Sequence, residues 1–469
     1  MAPRDSIPRS VPESALSKLR KELTGRVVAP DDPDYDEART IHNGMIDRRP
    51  AVIAQCETEA DVSRAVLFGR ETELPIAVRG GGHSVAGTCV IDDGLVVDLR
   101  RMNAAVVDPE AMTVRVGGGA TMSHLDRATQ PFGLATTGGR VSTTGVGGFT
   151  LGGGSGWLER KFGLACDNLL AAELITAEGR HAVASADDNP ELFWALHGGG
   201  GNFGVATSLT LRLHALPAMS FAMLIHLPES GPEVVRAFRD LIESAPDAAG
   251  GGVIYFPAPP EPFIPEHLVG RLVCVALITY AGPVDELREL AAPLLALDRE
   301  AEVVTDIPYA DLQCMIDDPP GLRNYWSAEY LRAFPDDALD VFCSRAAKIP
   351  MPTTTQHVLF PMGGAVAAGP SEYPLPWRTA PWAVHPFATW TDPADDTRVR
   401  QWVRDVRADA RPWSLGAVYL NFIGAEGERR VVSGFGAENY RRLAAVKAAY
   451  DPDNVFRLNH NIAPAAAAA

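Results

Sequence analysis

The run Leu74-Pro75-Ile76-Ala77-Val78-Arg79-Gly80-Gly81-Gly82-His83-Ser84 takes a short apolar strand through one arginine into three glycines and an imidazole. Glycine reaches positive φ without a Cβ penalty and lets the backbone come close to a ligand. Successive backbone N–H groups in such a turn can cradle phosphate oxygens. A histidine just past that cradle would face whatever the phosphates carry. On its own the fragment reads more readily as a glycine-rich surface turn with a solvated histidine, so its meaning rests on the rest of the chain.

The chain has 469 residues, more than one ordinary domain holds, and its length suggests two or three. A hydrophobic content of 46% with 22% charged residues is that of a soluble globular protein with ample material for a core. The net charge of −17, from 42 basic and 59 acidic residues, argues against a polyanionic partner such as nucleic acid. No run of about 18 apolar residues occurs, so no membrane span is expected. The opening MAPRDSIPRSVPESALSK lacks an apolar signal region, and a cytoplasmic protein is expected. Cys56, Cys89, Cys166, Cys274, Cys314 and Cys343 are scattered without CxxC spacing. Neither a disulfide framework nor a metal site is expected; buried free thiols are. Nothing in the sequence indicates an oligomeric state.

Residues 1–25 read as a polar helix leading in, and Pro30 to Asp34 as a turn. Thr58 and Asp61 form a capping pair, with Val62, Ala65, Val66 and Gly69 following at helical spacing. Strands are expected at 76–78, 95–99 and 112–116. Then come Thr137-Gly138-Gly139, Gly145-Val146-Gly147-Gly148, Gly152-Gly153-Gly154-Ser155-Gly156 and Gly198-Gly199-Gly200-Gly201-Asn202-Phe203-Gly204. A dinucleotide-binding GxGxxG should open a long helix after a strand, with an acid about 20 residues on. Here glycine recurs too often for a helix, at roughly 1 kcal/mol each. A broad backbone surface lying against an extended ligand fits better.

Composition shifts near Leu216-Pro217, and residues to about 415 read as a second, α+β domain. It has candidate helices at 232–244 and 284–295 and a strand-like run at 272–277. Proline-rich loops at 257–265 and 369–386 are candidate substrate contacts. The C-terminal part returns to a compact pattern, with Tyr440, Leu443, Val446 and Tyr450 on one helical face, stopped by Asp451-Pro452. Asn459-His460-Asn461-Ile462 suits hydrogen bonding to a polyol or ring edge, and equally an asparagine turn. Ala465 to Ala469 read as a tail without a structural role.

Together, RGGGHSVAG (79–87), TTGVGGFTLGGGSGWLERKFGLACDNL (143–169), NPELFWALHGGGGNFGV (189–205), YLNF (419–422) and YDPDNVFRLNHNI (450–462) resemble the FAD-linked oxidases of the vanillyl-alcohol oxidase superfamily, in their berberine-bridge-enzyme-like branch. The segments cover most of 40–215 and the end of the chain, in family order. They are most similar to bacterial members, including 6-hydroxynicotine oxidases and antibiotic-pathway oxidases, and the likeness weakens across 220–410.

The resemblance implies an α+β, two-domain FAD-binding fold. Its flavin domain is discontinuous, 1–215 plus 425–469, and its substrate domain, inserted at 216–424, is built on an antiparallel sheet with helices. It implies that FAD lies against Arg79, Gly80, Gly81, Gly82, His83, Ser84 and Gly87, and against Gly139, Val141, Ser142, Thr144, Gly145, Gly147, Gly148, Gly152, Gly153, Gly154 and Gly156. Asn202, Gly204, Val205, Tyr419, Asn421, Asn459 and Asn461 complete that set. His83 is expected to carry the flavin covalently through its 8-methyl group. Many relatives carry a second link from a cysteine where this chain has Val141, so a single bond is expected, and a more open flavin site. Thr144 and Val146 would shape access of dioxygen.

Tyr419-Leu420-Asn421 matches the Tyr-x-Asn motif in which relatives use the tyrosine as base. A phenol needs its pKa of about 10 lowered for that work near pH 7, and no cation is adjacent in sequence. Tyr325, Glu329 and His385 are the other candidates. Relatives often read Tyr-Trp-Lys-Ser where this chain reads Tyr325-Trp326-Ser327-Ala328-Glu329. The expected activity is oxidation of a small molecule, a secondary metabolite, at a carbon bearing a hydroxyl or amine, with dioxygen reduced to hydrogen peroxide. The alternatives are a flavin-dependent oxygenase or cyclase of antibiotic biosynthesis and a catalytically idle flavin-binding protein.

Overall fold

A computed structural model describes residues 11–466; the expectations for residues 1–10 and 467–469 lie outside it. The helix Glu13–Glu22 leads in. Val52–Gln55 and Ile76–Arg79 then pair in parallel with the central strand Leu95–Asp98, and Arg26–Val28 adds an antiparallel edge. Parallel neighbours need a crossover. The helix Glu59–Glu71, opened by the reciprocal Thr58–Asp61 capping box, crosses between the two strands that flank Leu95–Asp98. A second, antiparallel sheet runs in the order Ala105–Asp108, Thr113–Gly117, Val205–Arg212, Leu169–Ile175, His181–Ser185.

The glycine-rich stretch departs from expectation in one place: Val146–Leu151 is a short helix despite Gly147 and Gly148. Close packing outweighs propensity there, since a Cβ on Gly147 would lie 3.1 Å from the Gly118 carbonyl oxygen.

Residues 220–390 build an eight-stranded antiparallel sheet. Its helices Gly231–Ser244, Asp336–Ala346 and Asp396–Ala410 cover one face, burying Phe238, Leu241, Phe342 and Trp402 with Trp382 and Trp390 of the sheet. The other face packs with the glycine-rich part through Met223, Leu277, Val358 and Phe360. The helix expected at 284–295 is two, Val284–Leu290 and Ala292–Leu295, because Pro293 interrupts the hydrogen-bond ladder. The proline-rich loop expected at 369–386 ends early, at the strand Trp382–Trp390. Pro386 is tolerated because it falls at a break in the ladder, between the pairs Trp326–Phe387 and Glu329–Val384.

After the helices Glu428–Phe435 and Ala437–Tyr450 the chain returns to the glycine-rich part. The Lys447 ammonium, fully buried, donates to Asp451 at 2.7 Å, to the Asn202 carbonyl at 2.6 Å and to the Phe456 carbonyl at 3.0 Å. It thereby ties the C-terminal return to the 198–204 turn. The tail is not without a role, because the Ala465 N–H donates to the Ala444 carbonyl. All six cysteines are free; Cys314 is exposed and Cys343 half-buried, against the expectation of burial. Among the described residues no helix is long and apolar enough to cross a membrane.

Candidate active site

A cavity of ≈ 340 Å³ lies where the glycine-rich part, the large sheet and the C-terminal return meet. Glycine backbone makes one side of it and a face of the sheet makes the other.

On the glycine side, Gly80, Gly81, Gly82, His83 and Ser84 follow the strand Ile76–Arg79 directly into the cavity wall. Gly82 takes φ 79°, which reverses the chain without a Cβ penalty. Gly139, Val141, Thr144, Gly145, Gly147, Gly148 and Gly152 form the next part of the wall, and Gly198 to Asn202, Gly204 and Asn459 the last. A Cβ at Gly148, Gly200 or Gly201 would meet nothing within 4 Å. Packing therefore does not demand glycine at these three positions, and the space their missing side chains leave opens on the cavity. The Asn459 Oδ1 is buried without a partner. Open backbone over three separated segments, with an orphaned acceptor beside it, fits a long polar ligand such as FAD.

His83 stands at the junction of the two sides. Its Nε2 lies 2.7 Å from the Thr143 Oγ1, and Nδ1 makes no hydrogen bond among the described residues. Burial first, then the neighbouring His42, lowers its pKa to about 3, so the ring is neutral. In the tautomer whose Nε2–H donates to the Thr143 hydroxyl, the neutral ring keeps its lone pair on Nδ1 and is nucleophilic there.

The sheet side follows from strand alternation. Gln356, Val358 and Phe360 share one face of their strand; His385 and Phe387 share the same face of the next, and Trp326 of the third. Tyr325, one residue from Trp326, necessarily points the other way, where the Arg400 guanidinium lies 5.0 Å from its ring. Glu329 does not line the cavity either. It accepts from Arg430 at 2.7 Å and from the Ser414 hydroxyl at 2.6 Å, and pairs with Arg407 at 3.3 Å. Arg430 also donates to the Ala328 carbonyl, and the Ser327 hydroxyl to Glu426. This network pins the ladder break at Ser327 and Ala328.

That break orients His385. Its Nδ1 lies 2.7 Å from the Ser327 carbonyl oxygen, so Nδ1 carries the proton and Nε2 is an acceptor. Nε2 has no partner among the described residues. Burial, opposed by the Ser327 bond, lowers its pKa to about 4. Phe422 stacks on His385 at 4.2 Å and meets Tyr419 edge-on at 4.8 Å.

Tyr419 is fully buried at the cavity wall. Its phenol oxygen accepts from the Gly154 N–H at 3.0 Å and from Asn421 Nδ2 at 2.9 Å. Asn421 Nδ2 also donates to the Gly148 and Phe149 carbonyls, which fixes the orientation of the amide. Burial raises the phenol pKa further than these two donors lower it. Among the described residues no cation supplies the lowering that a tyrosine base would need, and none accepts the phenol's hydrogen.

The remaining candidates stand behind the wall. Arg79 is fully buried, donating to the Thr40 carbonyl at 3.1 Å and 3.4 Å from Asp98. Gly87 packs on Ile46, Gly153 on Tyr419, and Gly156 on the Gly138 carbonyl. The Gly154 N–H donates to Tyr419, and Ser142 is bonded to Asp317. Val205 lies in a strand core, and Asn461 Oδ1 is buried without a partner. Sequence reading missed Cys89, Ile316 and Arg140, as well as the aromatic wall of Trp326, Phe360, Phe387 and Phe422. Alternation around His385 would have found Phe387.

Residues 50–185 match the model of an FAD-binding domain, and residues 418–463 that of berberine and berberine-like proteins. The (R)-6-hydroxynicotine oxidase of Paenarthrobacter nicotinovorans is 32% identical over 470 residues, covering 96% of this chain and 99% of its own. An uncharacterised FAD-linked oxidoreductase of Bacillus subtilis is 30% identical over 457 residues, with 95% and 98% covered. The crystal structure of 6-hydroxy-D-nicotine oxidase from Arthrobacter nicotinovorans superposes with a TM-score of 0.83 at 28% identity, covering 94% of this chain and 98% of that one. Berberine bridge enzyme from Eschscholzia californica shares the fold, with a TM-score of 0.85 at 22% identity over 97% of this chain and 100% of that one.

Proposed function

The chain belongs to the berberine-bridge-enzyme-like FAD-linked oxidoreductases, and we propose that it is an oxidase of flat, uncharged aromatic molecules bearing a secondary hydroxyl or amine. When bound, FAD would supply a hydride acceptor that dioxygen can regenerate, with hydrogen peroxide as the second product. Gly80 to Ser84, Gly145 to Gly148, Gly198 to Asn202 and Asn459 would hold it, with His83 as its single covalent anchor because Val141 offers no thiol.

The observation that carries the substrate reading is the sheet face. Trp326, Phe360, Phe387 and Phe422 surround the acceptor His385 Nε2, with Gln356 on the same face. Aromatic walls favour a planar apolar body and hold it by area and ring geometry. No carboxylate lines this wall, since Glu329 and Glu426 are spent on Arg407 and Arg430. A permanently cationic substrate would therefore lack a counter-charge. His385 Nε2 accepts the substrate O–H or N–H and takes that proton as the C–H bond breaks. The Tyr419 phenol, its oxygen fixed by Gly154 and Asn421, donates its own hydrogen to orient the reacting group.

Anaerobic mixing with a panel of aromatic alcohols, aromatic amines and sugars tests this. Aromatic members should bleach the flavin and, in air, release one hydrogen peroxide per turnover. Bleaching by sugars alone, or labelled dioxygen appearing in product, would overturn it.

A further inference from the structure

The segment from Gln313 to Gly321, between the edge strands Ala301–Asp306 and Arg323–Trp326 of the large sheet, reaches the glycine-rich part on both sides of His83, at Ser142 and at His42. Gln313 donates to the Gly139 carbonyl at 2.6 Å, and Ile316 lines the cavity. Asp317 accepts from the Ser142 N–H at 2.7 Å and from the Ser142 hydroxyl at 2.5 Å. Ser142 precedes Thr143, whose hydroxyl meets His83 Nε2 at 2.7 Å. On the opposite side, Asp318 Oδ2 lies 3.3 Å from His42 Nε2, and the His42 ring stacks on His83 at 4.0 Å and 19°. Backbone bonds close the arrangement: the Gly321 N–H donates to the His42 carbonyl, and the His42 N–H to the Gly82 carbonyl.

His83 is thus held from two directions, by a hydroxyl at one nitrogen and by a ring against its face. Both supports end on adjacent carboxylates of one segment. Asp317 is fully used by Ser142, whereas Asp318 Oδ1 is buried without a partner. The side chains of His42 and Asp318 are 7% and 14% exposed, so water competes little with their contact.

We propose that Asp318 and His42 are positioning residues for His83, so that the 313–321 segment sets how readily this histidine becomes joined to the flavin. The proposal rests on the covalent attachment put forward above. In that joining, His83 Nδ1 bonds to the 8-methyl carbon; the methyl group loses one proton and the imidazole loses one. The electron pair reduces the ring system, which takes up two protons, and dioxygen reoxidises it with release of hydrogen peroxide. His83 enters this step as a neutral ring, and its productive angle is set by the His42 stack and the Thr143 bond. Misplacement on the ångström scale costs such reactions about 100-fold.

The test follows attachment in the full chain, produced under riboflavin limitation and then given FAD, for wild type, His42→Ala, His42→Phe and Asp318→Asn. Acid-stable flavin is measured against time, with Tm, total bound flavin and the flavin midpoint potential alongside. His42→Ala should slow attachment by about tenfold or more. Asp318→Asn should slow it less, and His42→Phe, which keeps a ring on His83, should recover part of the loss. Tm and total bound flavin should stay at wild-type values, and the midpoint potential should move in His42→Ala. Wild-type attachment rates and potentials in all three variants would overturn the proposal. So would losses that only track a fall in Tm or in total flavin. Complete acid release of flavin from wild type would overturn the covalent reading itself, a result separate from either of these.

Discussion

Gly81 and Gly145 lie backbone against backbone: a Cβ on Gly81 would stand 2.4 Å from the Gly145 nitrogen, and one on Gly145 would stand 2.3 Å from the Gly81 nitrogen. Neither contact can relax by turning a side chain. Gly145→Ala should therefore cost about 1–3 kcal/mol and strip the flavin. Gly148→Ala is the contrast, because its Cβ meets no protein atom. It should keep the wild-type Tm of the flavin-free protein while weakening FAD binding. Thermal melts and flavin titrations of the two variants check this; equal effects of both would contradict the cradle.

Tyr419→Phe removes the acceptor of the Gly154 N–H and of Asn421 Nδ2. Loss of a hydrogen-bonded phenol of about 1.5–3 kcal/mol in the reacting complex corresponds to roughly 10- to 100-fold slower flavin bleaching. Flavin content should be retained. Because burial raises the phenol above its usual value, the wild-type kcat/KM profile should show no tyrosine limb below about pH 10.

His385 should instead supply the acid limb of that profile. Its ring is neutral above about pH 4 and loses its acceptor below it. The expected kcat/KM is therefore flat through neutral pH and falls as pH drops through about 4. His385→Asn should slow hydride transfer by about 100-fold or more and remove the limb. Survival of the limb in the variant would move the base elsewhere.

His357 lies away from the cavity, stacked on Phe342 at 4.2 Å with both ring nitrogens buried and unpaired. Burial lowers its pKa to about 3, below the unfolded value of about 6.5. Its folded state thus refuses a proton that the unfolded chain takes. Stability is whole above pH 6.5 and falls as pH drops from 6.5 towards 3. At pH 5 the loss is about 2 kcal/mol. His357→Leu should gain stability on wild type as pH falls from 7 to 5, measured by urea unfolding; a gain independent of pH would contradict the assignment.

How far the site can be read from sequence depends on whether its residues are local. The strand into Gly80, the Thr58 cap and the glycine clusters are short-range patterns, and they stand in the structure where expected. The Val146–Leu151 helix runs against glycine propensity, and the close approach of the Gly118 carbonyl to Gly147, which leaves little room for a side chain, is not visible locally. Tyr325 and Glu329 are candidates from one stretch, but a side chain's direction in a strand depends on register. Register there is set by Trp326 opposite Phe387 and by the break at Ser327. The arginines that occupy Glu329 are 78 and 101 residues away in sequence, beyond any local pattern. The burial of Lys447 depends on three carbonyl or carboxylate partners brought together by the C-terminal return, which no local pattern shows.

The proposed anchor of the flavin is His83 alone. Its most direct test is the intact mass of the denatured full chain, followed by fragmentation of the peptide bearing residue 83. The wild-type chain should be heavier by one FAD less two hydrogens, with the added mass on His83, and His83→Ala should show the bare chain while still binding flavin before denaturation. A bare wild-type chain, or an adduct that persists in His83→Ala, would contradict it.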